Sequence, residues 1–363
     1  MADRRAERLA ALAAELERQH LDGVLLTGLT NIRYLTGFAG SSALLFVTCR
    51  GDAVFVSDFR YQTQAAEEVG DLARVVIESA SLWSGMWREL ATLPYVQVAG
   101  FESGHLLHRD FQRLLDSGSR WTWRPTADVV ERLRERKVAE EVELIRDAAG
   151  VAERALARTL EIVRPGMTEL AVAGALEHAL RDEGSEGFPF ETIVASGPRS
   201  ALPHARAADR TLGRGDFLLI DFGAIVGGYC SDITRTVMIG AGDARQREVH
   251  AIVREANARA SAGVRAGMRG RDADALARDY IDGRGHGEAF GHSLGHGLGL
   301  DVHEAPRLAR SAESALPAGA VVTIEPGVYV PGWGGVRIED DVHLAAHGPE
   351  LLTHFTRDLI ELS

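Results

Sequence analysis

The chain has 363 residues, 45% of them hydrophobic and 25% charged, the composition of a globular protein too long for one ordinary core, so two domains are expected. Its 40 basic and 52 acidic side chains give a net charge of −12, which argues against nucleic-acid binding because there is no basic excess to displace counterions. Two cysteines, Cys49 and Cys230, exclude a disulfide framework and a multi-thiolate zinc site.

At the N-terminus Asp3, Arg4, Arg5, Glu7 and Arg8 alternate with alanine and leucine, without the apolar core of a signal peptide. No apolar run approaches bilayer length, and a cytoplasmic protein with no membrane partner is expected. Leu9, Leu12 and Leu16 recur at helical spacing, Asp22-Gly23 turns the chain, and Val24 to Leu26 reads as a strand. Ser42 to Thr48 and Ala53 to Ser57 read as a hairpin-like pair, and helix and strand patterns alternate on to Trp123. Asn31, Arg33, Tyr34, Asp58, Arg60 and Tyr61 fall at strand ends and loops, where such residues either cap and solvate or bind. Pro125 breaks the pattern. The Glu-, Arg-, Ala- and Leu-rich stretch from Asp128 to about Ile162 predicts a long helix with room for an interruption, and a second helix follows from Thr168-Glu169 to about Arg181.

Phe217 to Ile220 predicts an apolar strand running into Asp221-Phe222-Gly223, a turn at Gly227-Gly228, and a return strand from Tyr229 to Met238 that carries Asp232. The plan recurs later: Ala320 to Ile324, then Glu325-Pro326-Gly327, a glycine turn, and a strand from Val336 to Asp341 that carries Glu339. The repetition suggests an internal duplication. Any one of these acids alone reads as a turn residue or a salt-bridge partner, but four on apolar strands are costly unless something offsets their charge. Brought together they suit two divalent ions, with carboxylates bridging ions about 3.5–4 Å apart. Between the two halves lies Gly291-His292-Ser293-Leu294-Gly295-His296-Gly297, followed by Val302-His303-Glu304. The bland reading is a solvated glycine-rich loop; the sharper one makes His296 the imidazole ligand and leaves His292 and His303 for substrate. Mostly oxygen donors favour Mn²⁺ or Co²⁺ over a thiolate-type zinc site.

The combined pattern Asp221-Phe222-Gly223, Ser231-Asp232-Ile233-Thr234-Arg235-Thr236, Gly295-His296-Gly297, Val302-His303-Glu304, Glu325-Pro326-Gly327 and Arg337-Ile338-Glu339 resembles the pita-bread metallopeptidases, and within them the proline-specific Xaa-Pro aminopeptidases (aminopeptidase P) and Xaa-Pro dipeptidases (prolidases). The likeness covers the whole chain, since Thr30 to Ser42 and Ser57 to Tyr61 are similar to the N-terminal domain of small bacterial aminopeptidase P. It implies an α/β (α+β) fold in two domains: a creatinase-like α/β domain over residues 1–125 and a pita-bread catalytic domain over 126–363. It also implies two divalent metal ions, Mn first and Co or Zn as alternatives. Asp221 would bind one ion, Asp232 and Glu339 would bridge, and His296 and Glu325 would complete the other site. A hydroxide held between the ions would attack the carbonyl before proline, with Glu325 passing its proton toward the leaving nitrogen. His303 and His204 resemble the histidines that hold substrate and stabilise the carbonyl oxygen, and His292 a residue of the proline pocket. Arg337 and Tyr329 resemble an outer shell orienting the carboxylates. The implied partners are peptides with proline in second position and a second copy of the chain in a homodimer.

Rivals on the same fold are a methionine-type aminopeptidase, which lacks a domain like residues 1–125, and creatinase, which works without metals. A pita-bread binding module without catalysis is a third, disfavoured because no ligand is missing. For substrate length, the N-terminal likeness favours an Xaa-Pro aminopeptidase, whereas Arg307 stands where some prolidases place an arginine for the free carboxylate of a dipeptide.

Overall fold

The computed structural model describes residues 4–363, which divide into two compact units, one ending at Arg134 and the other spanning Glu135–Ser363. In the first unit α1 (Arg5–Arg18), β1 (Gly23–Leu26), α2 (Leu29–Thr36), β2 (Ala43–Thr48), β3 (Ala53–Asp58), α3 (Gln62–Glu68), β4 (Arg74–Glu78), α4 (Leu82–Leu90), β5 (Val98–Glu102), α5 (His108–Asp116), β6 (Thr122–Thr126) and α6 (Glu131–Arg134) alternate. The strands form one sheet in the order β4-β3-β2-β1-β5-β6, antiparallel from β1 to β3 and parallel elsewhere. Leu9, Leu12 and Leu16 of α1 are buried, as the helical spacing requires, and Phe46, Val56, Met86 and Leu114 fill one face of the sheet.

The crossover between units lies at Arg134/Glu135 rather than at the expected 125/126, and the reason is a buried polar network. Glu102 accepts the backbone N–H groups of Thr27 (2.6 Å) and Gly28 (2.8 Å), and Asn31 Nδ2 donates to Glu102 and to Glu131, 2.7 Å each. Arg134 then donates to Asn31 Oδ1 at 2.6 Å, and Tyr34 Oη to the carbonyl of Leu133. These contacts fasten α6 to the first unit. Asn31 and Tyr34 therefore hold structure, and Asp58 caps the turn that follows β3, bonding the backbone N–H and guanidinium of Arg60.

The second unit begins with α7 (Ala139–Ile162), separated from α6 by a break at which Glu141 accepts the N–H of Val138 at 2.8 Å. There follow α8 (Glu169–Asp182), β7 (Ile193–Ser196), β8 (Phe217–Phe222), β9 (Ile225–Val226), β10 (Tyr229–Cys230) and β11 (Ile233–Ile239). The second half runs through α9 (Ala244–Gly263), α10 (Gly270–Gly283), β12 (Gly295–Gly297), β13 (Glu304–Leu308), β14 (Val321–Ile324), β15 (Gly327–Val330), β16 (Gly334–Arg337), β17 (Asp340–Ala345), β18 (Gly348–Leu351) and β19 (Glu361–Leu362). One sheet has the order β19-β11-β8-β7 and the other β13-β12-β14-β17-β18. Leu156, Leu176, Leu180, Leu218 and Ile220 pack α7 and α8 on the first sheet; Val253, Ala277, Ile281, Val322 and Val342 pack α9 and α10 on the second. Among the described residues no helix is long and apolar enough to cross a membrane.

The return strands, expected to be continuous, each break at their acid. β8 pairs with β11 and β14 with β17, while β9–β10 and β15–β16 form separate two-stranded ribbons. Asp232 lies in the first gap and Glu339 in the second. At Glu339 the backbone turns to the other half, its N–H bonding Thr234 O at 3.1 Å. Arg235, 3% exposed, secures that junction with bonds to the carbonyls of Thr234, Glu339, Phe355 and Thr356 and to buried Asp340 at 2.8 Å. Removing Arg235 would leave four backbone carbonyls without their donor and Asp340 with Arg357, at 2.7 Å, as its one remaining charged partner among the described residues. Arg235→Met is expected to lower the unfolding free energy measured in urea by about 3–5 kcal/mol; a loss below about 1 kcal/mol, the scale of a surface pair, would contradict the role given to Arg235.

Candidate active site

The glycine–histidine run is narrow because backbone crowds it from both sides. A Cβ on Gly295 would stand 1.9 Å from Thr323 O, and one on Gly297 would stand 2.1 Å from Ala305 O, so no larger residue fits on either side of His296. The segment before it is held by a buried pair on α10. Arg278 donates to Phe290 O (2.8 Å) and His292 O (2.6 Å), and Asp274 accepts the N–H of Leu294 at 3.0 Å. The loop carrying His303 is fixed by Glu304, which accepts from Asp301 N and from the buried ammonium of Lys137, 3.0 Å each.

Five residues expected to hold metal converge. His296 Nε2 is 3.7 Å from Asp232 Oδ2 and 3.6 Å from Glu325 Oε1, and Asp232, His296 and Glu339 each place a donor atom within 4.8 Å of the others. Asp221 joins them through Arg337, whose Nη2 bonds Asp221 Oδ2, and its charge bears on Asp232, Glu325 and Glu339. The register across β8 and β11 sets Asp221 opposite Thr234, and Thr234 Oγ1 donates to Glu339 Oε2 at 2.6 Å.

Burial dominates the electrostatics, and crowding adds to it. Burial first, then the charges of Glu339, Asp221, Asp341 and Glu325, pushes Asp232 well above the ordinary carboxylate range. Burial, followed by Glu339, does the same to Glu325, and burial with Asp221 pushes Glu339 up to about 8. Asp221 Oδ1 and Asp232 Oδ1 are buried and have no hydrogen-bond partner. Buried carboxylate oxygens left without a hydrogen-bond partner, in a cluster where Arg337 is the one guanidinium among the described residues and His296 a neutral imidazole, suit divalent cations, so this donor set fits them. Glu102, His105 and Glu131 of the first unit also lie close together, but Glu102 is already bonded by backbone N–H groups and Asn31.

The histidines are neutral for physical reasons. Burial, reinforced for His292 by the charge of Arg337, lowers His292 and His296 to about 4, and partial desolvation lowers His303 even though much of its side chain reaches solvent. His296 Nδ1 lies 3.0 Å from Gly297 O, a contact that needs the proton on Nδ1 and leaves the Nε2 lone pair facing the acids. His292 Nδ1 likewise donates to Ser293 O at 2.8 Å, so its Nε2 accepts from Tyr329 Oη at 2.9 Å. Tyr329 Oη accepts from Arg337 Nη1 at 2.8 Å, and Arg337 Nε reaches Thr234 Oγ1 at 3.1 Å. His303 is exposed and its ring lies 4.3 Å from that of His296. His204, also exposed, follows Pro203, whose carbonyl accepts from Arg337 at 3.2 Å, and its charge acts on both His292 and His303. Arg307 is directly opposite His296 in the β12–β13 pair.

Sequence reasoning missed the supports. Asn257 of α9 donates to Ile324 O (2.9 Å) and Ile338 O (3.1 Å), the carbonyls just before Glu325 and Glu339. An asparagine among Val249, Val253, Ala256 and Ala260 on the buried face of α9 was the available signal. Asp340 and Asp341, next to Glu339 and wholly buried, were a second.

The shifts have a pH signature in metal-free protein. Glu339 keeps its proton to about pH 8 against an ordinary 4.5, so between those values the folded chain binds more protons than the unfolded one and stability falls as pH rises. His292 and His296, lowered to about 4, act in the opposite sense but only below their ordinary 6.5. From pH 6.5 to 8 the thermal midpoint of chelator-treated protein is therefore expected to fall, and a saturating divalent ion to flatten the decline. A metal-free midpoint that is level or rising across that window contradicts the raised position of Glu339.

Known proteins resemble this chain over nearly its full length. Residues 143–346 match metallopeptidase family M24, and residues 8–136 match the creatinase/prolidase N-terminal domain. An Xaa-Pro dipeptidase from Pyrococcus furiosus is 36% identical over 98% of this chain and 99% of its own. The structure of an Xaa-Pro dipeptidase from Bacillus anthracis superposes with a TM-score of 0.95 at 39% identity, over 99% of this chain and 100% of its own. That of an X-Pro aminopeptidase from Thermotoga maritima does so with a TM-score of 0.90 at 37% identity, over 98% and 99%. The chain belongs to metallopeptidase family M24, with the creatinase/prolidase type of N-terminal domain.

Proposed function

We propose that this chain is a metal-dependent exopeptidase that hydrolyses the Xaa-Pro bond at the N-terminus of peptides. The observation that carries the reading is the convergence of Asp232, His296, Glu325 and Glu339 with orphaned oxygens on Asp221 and Asp232. Asp221 is assigned to one ion, Asp232 and Glu339 to both, and His296 and Glu325 to the other. Manganese is the proposed ion because oxygen donors outnumber the single imidazole. Ions bound there would supply Lewis acidity to a water and to the scissile carbonyl.

The side chains supply the rest. Glu325, close to both His292 and His296, takes the proton of the attacking water on a carboxylate oxygen and passes it to the departing proline nitrogen. His303 and His204 donate N–H to the carbonyl oxygen as negative charge builds on it. His292, oriented by Tyr329 and backed by Phe290, is the proposed wall of the proline pocket. Arg337 orients Asp221 and, through Thr234, Glu339. A cytoplasmic homodimer is the setting carried over from the family likeness.

What supports dipeptides over longer substrates is Arg307. Residues directly opposite on antiparallel strands share a face, so Arg307 stands beside His296, where the carboxylate of a short substrate would end. Cleavage of longer peptides is the second reading, supported by the likeness to an X-Pro aminopeptidase. With Mn²⁺ at saturation, kcat/KM is expected to be at least about tenfold higher for Xaa-Pro than for Xaa-Pro-Xaa, and Arg307→Ala to erase most of that preference, as the loss of one charge-assisted contact implies. Equal or better cleavage of the tripeptide would overturn the dipeptide reading in favour of the aminopeptidase; no cleavage of either would sink the function.

A further inference from the structure

Asp341 is fully buried two residues beyond Glu339, and none of the roles assigned above uses it. It forms no ion pair among the described residues. Its Oδ2 accepts the backbone N–H of Asp232 at 3.1 Å, and its Oδ1 is buried without a hydrogen-bond partner. Its own N–H is held by Thr353 Oγ1 at 3.2 Å. A carboxylate kept in such surroundings costs stability, so packing alone gives no reason for it.

The strand register shows what surrounds it. Asp341 is directly opposite Thr323 in the β14–β17 pair, so the two side chains share a face of the sheet. Thr323 Oγ1 accepts the backbone N–H of His296 at 3.1 Å. One cross-strand pair thus takes the peptide nitrogens of two residues that reach the site from different elements. Asp232 lies in the gap between β10 and β11, where no strand neighbour takes its N–H, and His296 lies on the short β12.

We propose that Asp341 and Thr323 are positioning residues of the metal centre, setting Asp232 and His296 by their backbones while both side chains stay free for metal. The inference rests on the metal assignment above. It differs from a packing role because it depends on a hydrogen-bonding group at each position, the Thr323 hydroxyl serving Glu325 as well as the His296 N–H, rather than on volume. Asn at 341 keeps an acceptor and Leu does not; Ser at 323 keeps the hydroxyl and Val does not.

The test is calorimetric titration of Mn²⁺ into chelator-treated, metal-free protein and its variants, without substrate. Asp341→Leu and Thr323→Val are each expected to weaken Mn²⁺ binding by about 10–100-fold, while Asp341→Asn and Thr323→Ser stay within about threefold of the parent, as loss or retention of a contact supporting a ligand implies. If Asp341→Leu fails to fold, the Thr323 pair carries the test. Wild-type affinity in the Leu and Val variants would overturn the positioning role, and so would an Asn variant as weak as the Leu one, since charge and not position would then matter. A parent protein that takes up no divalent ion would instead sink the metal assignment itself.

Discussion

Mutual repulsion among four crowded carboxylates, three of them buried, is the constraint on which the second unit depends. Asp221 lies on an apolar strand, and Asp232, Glu325 and Glu339 lie in the breaks beside such strands, whose burial against two helix pairs drives the fold together. That same burial removes the water that would separate their charges, which is why Asp232, Glu325 and Glu339 are held above the ordinary carboxylate range. Arg337 is the guanidinium placed among them, and it is already bonded to Asp221, Tyr329 and Thr234. Divalent ions are the natural answer to a surplus of this kind, and membership of metallopeptidase family M24 agrees with it.

The surrounding structure is arranged to keep the acids together despite their repulsion. Both hairpins break where they carry an acid, which frees Asp232 and Glu339 from a regular ladder and lets other groups set their direction. Asn257 ties the carbonyls that precede Glu325 and Glu339 with one amide, and Arg235 ties the two halves at Thr234 and Glu339. Around His296 the constraint is steric, because Gly295 and Gly297 leave room for nothing between Thr323 and Ala305. Function follows from this rigidity: histidines kept neutral by burial hold a lone pair or an N–H ready and add no positive charge that would compete with metal ions for the carboxylates.

Much of this was legible in the sequence, and what was not has a common cause. Charged residues on otherwise apolar strands stand out by composition, so the four acids and the glycine–histidine run could be picked out before any coordinates. The local pattern of β11 or β17 could not show that the strand stops at the acid, because the break is decided by a partner about a hundred residues away, as with Glu339 N and Thr234 O. The same holds for Asn31, read as a loop residue with a chance of binding and found clamping Glu102, Glu131 and Arg134. It also explains the shift of the unit boundary from Pro125 to Arg134. Long-range hydrogen bonds to buried polar groups leave only a faint local trace, a single polar residue on an apolar face.

The central claim is that two ions share Asp232 and Glu339 as bridges. Electron paramagnetic resonance of protein loaded with two equivalents of Mn²⁺ tests it most directly. Bridged ions lie about 3.5–4 Å apart and couple by exchange, so a coupled-pair spectrum is predicted, replaced by that of isolated ions in Asp232→Asn. Isolated-ion signals from the parent protein at full occupancy would contradict the account.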